Sequence, residues 1–112
     1  MDSRLDSEIQ QAVENLAKTI CKSDSFKAYK EVKSLAIADY SKMEMIKKAH
    51  DLREEIHSLP DHEANGDYAE RMRYQYEELM EDTVVYKYTK AELAIGEICR
   101  DVFAHILDAM EF

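Results

Sequence analysis

Two glycines, one proline, no tryptophan and only two cysteines occur in 112 residues. Each scarcity excludes something. An all-β chain needs turn residues roughly every 8–12 positions, and this chain lacks them. A phosphate-cradling loop needs clustered glycines, and Gly66 and Gly96 stand far apart. No apolar run approaches the ~20 residues of a membrane span. The start, Met-Asp-Ser-Arg-Leu-Asp, has no basic-then-apolar signal segment. Cys21 and Cys99 lie far apart, each inside a helical pattern, so they make neither a disulfide framework nor a zinc site. They are expected to be small buried hydrophobes in a reducing cytosol. A cytoplasmic helical module of a single domain, residues 1–112, is the class that remains.

What is present is charge and helical periodicity. The net charge is −9 and hydrophobic residues make up 46%, so the chain is acidic yet can build a core. Residues 22–48 hold seven lysines against four acids, whereas 49–82 hold three arginines against eleven acids. The overall acidity argues against phosphate-driven binding of nucleic acid. The lysine-rich stretch reads as a solvated helix face, with contact to RNA as the alternative.

The spacing predicts about five helices in an antiparallel all-α bundle. The first, at about 4–22, carries Leu5, Ile9, Val13, Leu16 and Ile20 on one face. The second, at about 24–38, begins after Ser23 and faces inward with Phe26, Tyr29, Val32 and Ala36. The third, at about 41–59, matches a capping box at Ser41 and Glu44, although Asp39 offers a cap one turn earlier. Its stripe is Met45, Ile46, Ala49, Leu52, Ile56 and Leu59. Pro60 ends it, and 60–67 is read as the one mobile loop. Asp67 is expected to cap the fourth helix, whose buried side is Tyr68, Met72, Tyr76 and Leu79. Asp82 caps the last, at about 83–110.

That last helix is the most informative. Val84, Tyr88, Ala91, Ile95, Ile98, Val102, Ile106 and Ala109 form one stripe; Val85, Tyr88, Cys99, Phe103, Leu107 and Met110 form another. A helix apolar around so much of its circumference is expected to be buried on two sides, with Ile95 and Val102 in the core. At 1.5 Å per residue it spans about 40 Å, longer than the ~34 Å diameter of a compact domain of this size, so it overhangs. Mid-helix Gly96 implies close approach, either by a helix of the same chain or by a second subunit. Glu92 falls within the apolar stripe. It either reaches solvent or accepts hydrogen bonds from Tyr29, Lys33 or a second subunit.

Catalytic and metal chemistry find little support. Glu54 and His57 match half of a di-iron bundle motif, but no second Glu-x-x-His exists. Neither a His-Glu-x-x-His nor a Gly-x-Ser-x-Gly motif occurs. No catalytic, metal or cofactor site is assigned. Seven tyrosines, five of them between 68 and 88, favour a protein interface, because tyrosine combines large area with few rotors. The interface candidates are Tyr29, Val85, Tyr88, Glu92, Gly96, Cys99 and Phe103, and a homo-oligomer, namely a dimer, is expected.

Three spacings together resemble the YlbF/YmcA family of small helical bacterial regulatory proteins. They are Ser23-x-x-Phe26-x-x-Tyr29, Asp39 followed by Met45-Ile46, and Asp82-Thr83-x-Val85-x-x-Tyr88-x-x-Ala91-Glu92. Thr83 stands where the family usually has proline. The likeness runs from about residue 5 to 108. It implies a cytoplasmic, non-enzymatic accessory protein that assembles with itself and with other bacterial proteins. Members act in competence, sporulation and biofilm control through a complex assisting ribonuclease processing of mRNA. Some carry extra cysteines and share iron–sulfur clusters. A cluster takes about four thiolates, so Cys21 and Cys99 do not supply one.

Overall fold

The computed structural model describes residues 6–111. Five helices follow one another: α1 (Ser7–Cys21), α2 (Asp24–Ile37), α3 (Tyr40–Ser58), α4 (Asp67–Leu79) and α5 (Thr83–Ala109). A short 3-10 turn, Asp61–Glu63, lies between α3 and α4. No strand occurs among the described residues, and 86% of them are helical. The expected all-α fold with a long last helix is therefore correct; Leu5, placed in the first stripe, lies outside the described residues.

The helix starts follow capping chemistry, with two departures from expectation. Asp6, Ser23 and Asp82 each accept hydrogen bonds from backbone N–H groups of the first turn. In α3 the cap is Asp39, bonded to the Ser41 N–H, so the Ser41–Glu44 box does not form. A helix beginning at Tyr40 places Ser41 inside its first turn, past the capping position. In α4 the N-cap is Gly66 and Asp67 is already helical, where its carboxylate still faces the positive end of the helix dipole.

Two ion pairs fix the directions. Lys42 binds Asp82 at the starts of α3 and α5, and Arg53 binds Glu92 at 3.0 Å further along both. Helices α3 and α5 therefore run parallel. The end of α2 lies two residues before α3, beside the start of α5, so α2 runs antiparallel to both. The end of α4 leads directly into α5, so α4 also runs opposite to α3.

The core sits among α2, α3 and the first half of α5. It contains Val32, Ala36, Ile46, Ala49, Val85 and Tyr88, with Tyr29, Met43, Met45, Tyr76 and Leu79 packed around them. Leu52, Ala69 and Met72 close the α3–α4 side. Tyr68 does not join them: it is half exposed and donates to Glu55 at 2.5 Å. Its hydroxyl reaches an exposed carboxylate that a buried ring would leave behind.

Beyond this core, α1 and the second half of α5 hold no buried residue. No residue of α1 is buried, and in α5 the buried residues are Val85, Tyr88 and Thr89 alone. The expectation that α5 is buried on two sides holds only for its first half. Ile95 and Val102 are partly exposed, and no residue of 95–109 is buried. Cys21 and Cys99, expected inside, are both exposed because they sit on these uncovered helices.

The shape reflects this. The radius of gyration is 17.7 Å and the extents are 49 × 39 × 27 Å. A compact chain of this length has a radius of gyration of about 13 Å. The helix overhang expected from the length of α5 is present.

Candidate interaction surface

The residues singled out by sequence fall into two groups along α5. Val85 and Tyr88 belong to the chain's own core, at 0% and 9% exposure. The Tyr29 and Tyr88 hydroxyls lie 3.3 Å apart, and their rings meet at 5.5 Å between centroids, tilted by 51°. Lys33 Nζ stands 5.6 Å from the centre of the Tyr29 ring. Burial, then the Tyr29 hydroxyl, raises the Tyr88 pKa well above that of a free tyrosine. This pair closes the α2–α5 contact at the top of the core.

Glu92 is neither solvated alone nor bonded to Tyr29 or Lys33. Its carboxylate takes the Arg53 guanidinium at 3.0 Å. Arg53 was not among the sequence candidates. The signal for it was a matched spacing: Lys42 and Arg53 on α3, like Asp82 and Glu92 on α5, are three turns apart with opposite charge. Only knowledge that α3 and α5 run parallel turns that spacing into a pair.

Gly96, Cys99 and Phe103 lie past this clamp. A Cβ placed on Gly96 meets only the Arg100 guanidinium of the next turn, at 3.6 Å. Among the described residues no other helix presses on Gly96. Phe103 is 62% exposed, Met110 63% and Ile106 47%. The stripe that forms the core at Val85 and Tyr88 thus continues along α5 with Phe103, Ile106 and Met110 exposed, while Ile95, Ile98, Val102 and Leu107 are half-buried. On α1, Ile9, Val13 and Leu16 form a second uncovered stripe.

A compact monomer of this mass exposes about 6,400 Å². This chain exposes 8811 Å², an excess of roughly 2,400 Å² over that scaling. An excess of this size on each of two partners falls in the range of obligate interfaces, about 2,000–5,000 Å² in total.

The surface also carries shallow concavities, one along α4 at Asp67, Glu70, Arg71, Tyr74 and Gln75 and others between helices. One, of about 460 Å³, lies between α2 and α5 over Ala28, Val32, Ala91 and Ala94, with Leu35 and Tyr86 at its rim. Among the described residues no group of three His, Cys, Asp or Glu side chains is placed to hold a metal ion. His50 and Glu54 are solvated, 3.6 Å apart on one face of α3. Of the lysines at 22–48, Lys42 is held by Asp82, while Lys27, Lys30 and Lys33 are exposed on α2. No helix among the described residues is long and apolar enough to cross a membrane.

No curated protein and no solved structure matches this chain. A family model does, over residues 9–111, and its description is control of competence regulator ComK, YlbF/YmcA. That span contains all three of the spacings that suggested the likeness, and the chain belongs to the YlbF/YmcA family of competence-control regulators.

Proposed function

We propose that this protein is a cytoplasmic, non-enzymatic adaptor that acts by assembling with itself and with other proteins. The observation that carries this reading is the continuation of the α5 core stripe beyond the core, through Ile98, Val102, Phe103 and Ile106. A monomer leaves that stripe in water, and soluble monomers rarely expose large contiguous apolar patches. The self-associated form is a homodimer whose interface includes the exposed part of α5 with Gly96, Cys99 and Phe103. Membership of a competence-control family supports a regulatory role. By resemblance, the partners are proteins of a ribonuclease-associated complex that processes mRNA, with effects on competence, sporulation or biofilm formation. Direct RNA contact is not part of this role.

Affinity capture of the tagged full chain from its native host, followed by mass spectrometry, tests the partner claim. Recovery of a ribonuclease and its associated proteins, resistant to nuclease treatment, is expected. Capture of RNA that is lost as salt rises, with no protein partner, contradicts it and favours the exposed α2 lysines as an RNA-binding face.

A further inference from the structure

We infer that α1 is a docking arm for a second copy of this chain, and that it packs on the exposed extension of the partner copy's α5. This inference rests on the self-association proposed above and specifies its geometry. Helix α2 runs antiparallel to α5, so its start lies at the Glu92 level of the bundle. Helix α1 precedes α2 by two residues and therefore leaves the bundle from the end at which α5 runs on alone.

The two bare elements match in length and character. Helix α1 has 15 residues, and 95–109 of α5 is the same number, about 22 Å each at 1.5 Å per residue. On α1 the apolar face is Ile9, Val13, Leu16 and Ile20, widened by Ala12 and Ala17. Its flanks are Gln10, Gln11, Asn15 and Thr19, with one lysine, Lys18, against Glu8 and Glu14. That nearly neutral, anionic-leaning face does not suit a lipid surface, which selects Lys- and Arg-rich helices. The α5 extension is apolar over roughly half its circumference, from Ile98 round to Phe103 and Leu107, too wide for one neighbouring helix.

Two copies resolve both deficits. An isologous pair places each α1 on the partner's α5 extension and brings the two extensions together at Gly96, where the lack of a side chain allows close approach. Two α1 helices and two α5 extensions then make a four-helix bundle with its own apolar core. The excess surface of roughly 2,400 Å² per chain lies within the area such a second core buries.

The test compares two surface variants of the full chain, Val13→Asp/Leu16→Asp on α1 and Phe103→Asp/Ile106→Asp on α5. None of these four residues is buried in the single chain, so both variants keep the wild-type helical circular dichroism. Both are expected to sediment at 13.1 kDa where the wild type sediments at twice that mass. Zero-length carbodiimide cross-linking of an equilibrated mixture of light and 15N-labelled chains supplies the second readout. Lys18 is expected to join Glu97, Asp101 or Asp108 in mixed light–heavy peptides. A dimeric α1 variant beside a monomeric α5 variant overturns the arm and leaves self-association standing. Cross-links confined to one chain overturn it as well, by placing α1 on its own α5. A monomeric wild type overturns the self-association on which the inference rests.

Discussion

Arg53 and Glu92 meet at 3.0 Å at the point where α5 leaves the core. Below this pair, α5 is covered by α2 and α3; above it, no residue of α5 is buried. Arg53 is 20% and Glu92 40% exposed, so the pair is half-solvated. Such pairs contribute up to about 1 kcal/mol. Glu92→Ala and Arg53→Ala are each expected to lower stability by about 0.5–1 kcal/mol, with a double variant less destabilised than their sum. Because both partners are in one chain, this loss is the same at every protein concentration. Chemical denaturation at several concentrations checks it; a loss that grows on dilution assigns Glu92 to the subunit interface.

The position of the core gives a sharper contrast. Val85 and Ala36 are wholly buried, and a carboxylate at either site has no partner. Val85→Asp is expected to cost more than about 3 kcal/mol and to unfold a domain of this size. Val102→Asp, on the uncovered extension, is expected to leave a folded monomer. Circular dichroism with thermal melting decides: a helical, cooperatively melting Val85→Asp variant contradicts the assigned core.

Much of this was legible in the sequence. Periodicity identified the α2 and α3 faces, and Val32, Ala36, Ile46, Ala49 and Leu52 are buried as their spacing requires. Asp82 was legible as a cap because a cap acts within one turn. The fate of α1 was not. A stripe such as Ile9, Val13 and Leu16 tells which face is apolar and nothing about what covers it, and in the single chain the stripe is exposed. The same holds for Cys21 and Cys99, judged buried from residue type although their helices are bare. Arg53 was missed because its partnership is a matter of helix direction, which no local pattern encodes.

Acid and alkali act on different groups. Lys42, and then the backbone N–H of Val85, hold the Asp82 carboxyl below its ordinary pKa. The stability this supplies is present above the unfolded value of about 4 and is lost as pH falls through the folded one. Asp82 raises the Lys42 pKa, and burial with the Tyr29 hydroxyl raises that of Tyr88. Those contributions are present below the unfolded values of about 10 and are lost as pH rises through the folded ones. Asp82→Asn is expected to flatten the acid limb of the melting temperature against pH. An acid limb identical to wild type contradicts the role given to the pair.

Gly96 separates the stability of one chain from that of the proposed dimer. In the single chain, a methyl group at this site meets only Arg100. Gly96→Ala is expected to stabilise the isolated helix by up to about 1 kcal/mol. Where two α5 extensions cross closely, the same methyl group weakens association. A variant with a higher melting point in monomeric form and a larger dimer dissociation constant is the expected outcome. Unchanged dissociation places the α5 crossing elsewhere.

Sedimentation equilibrium of the wild-type chain at micromolar concentration tests the central claim most directly. On the proposed self-association a second copy covers the exposed stripes of α1 and α5, and the expected mass is twice 13.1 kDa. Melting is then expected to shift upward with concentration, since association stabilises only the folded chain. A mass of 13.1 kDa at every concentration contradicts the account.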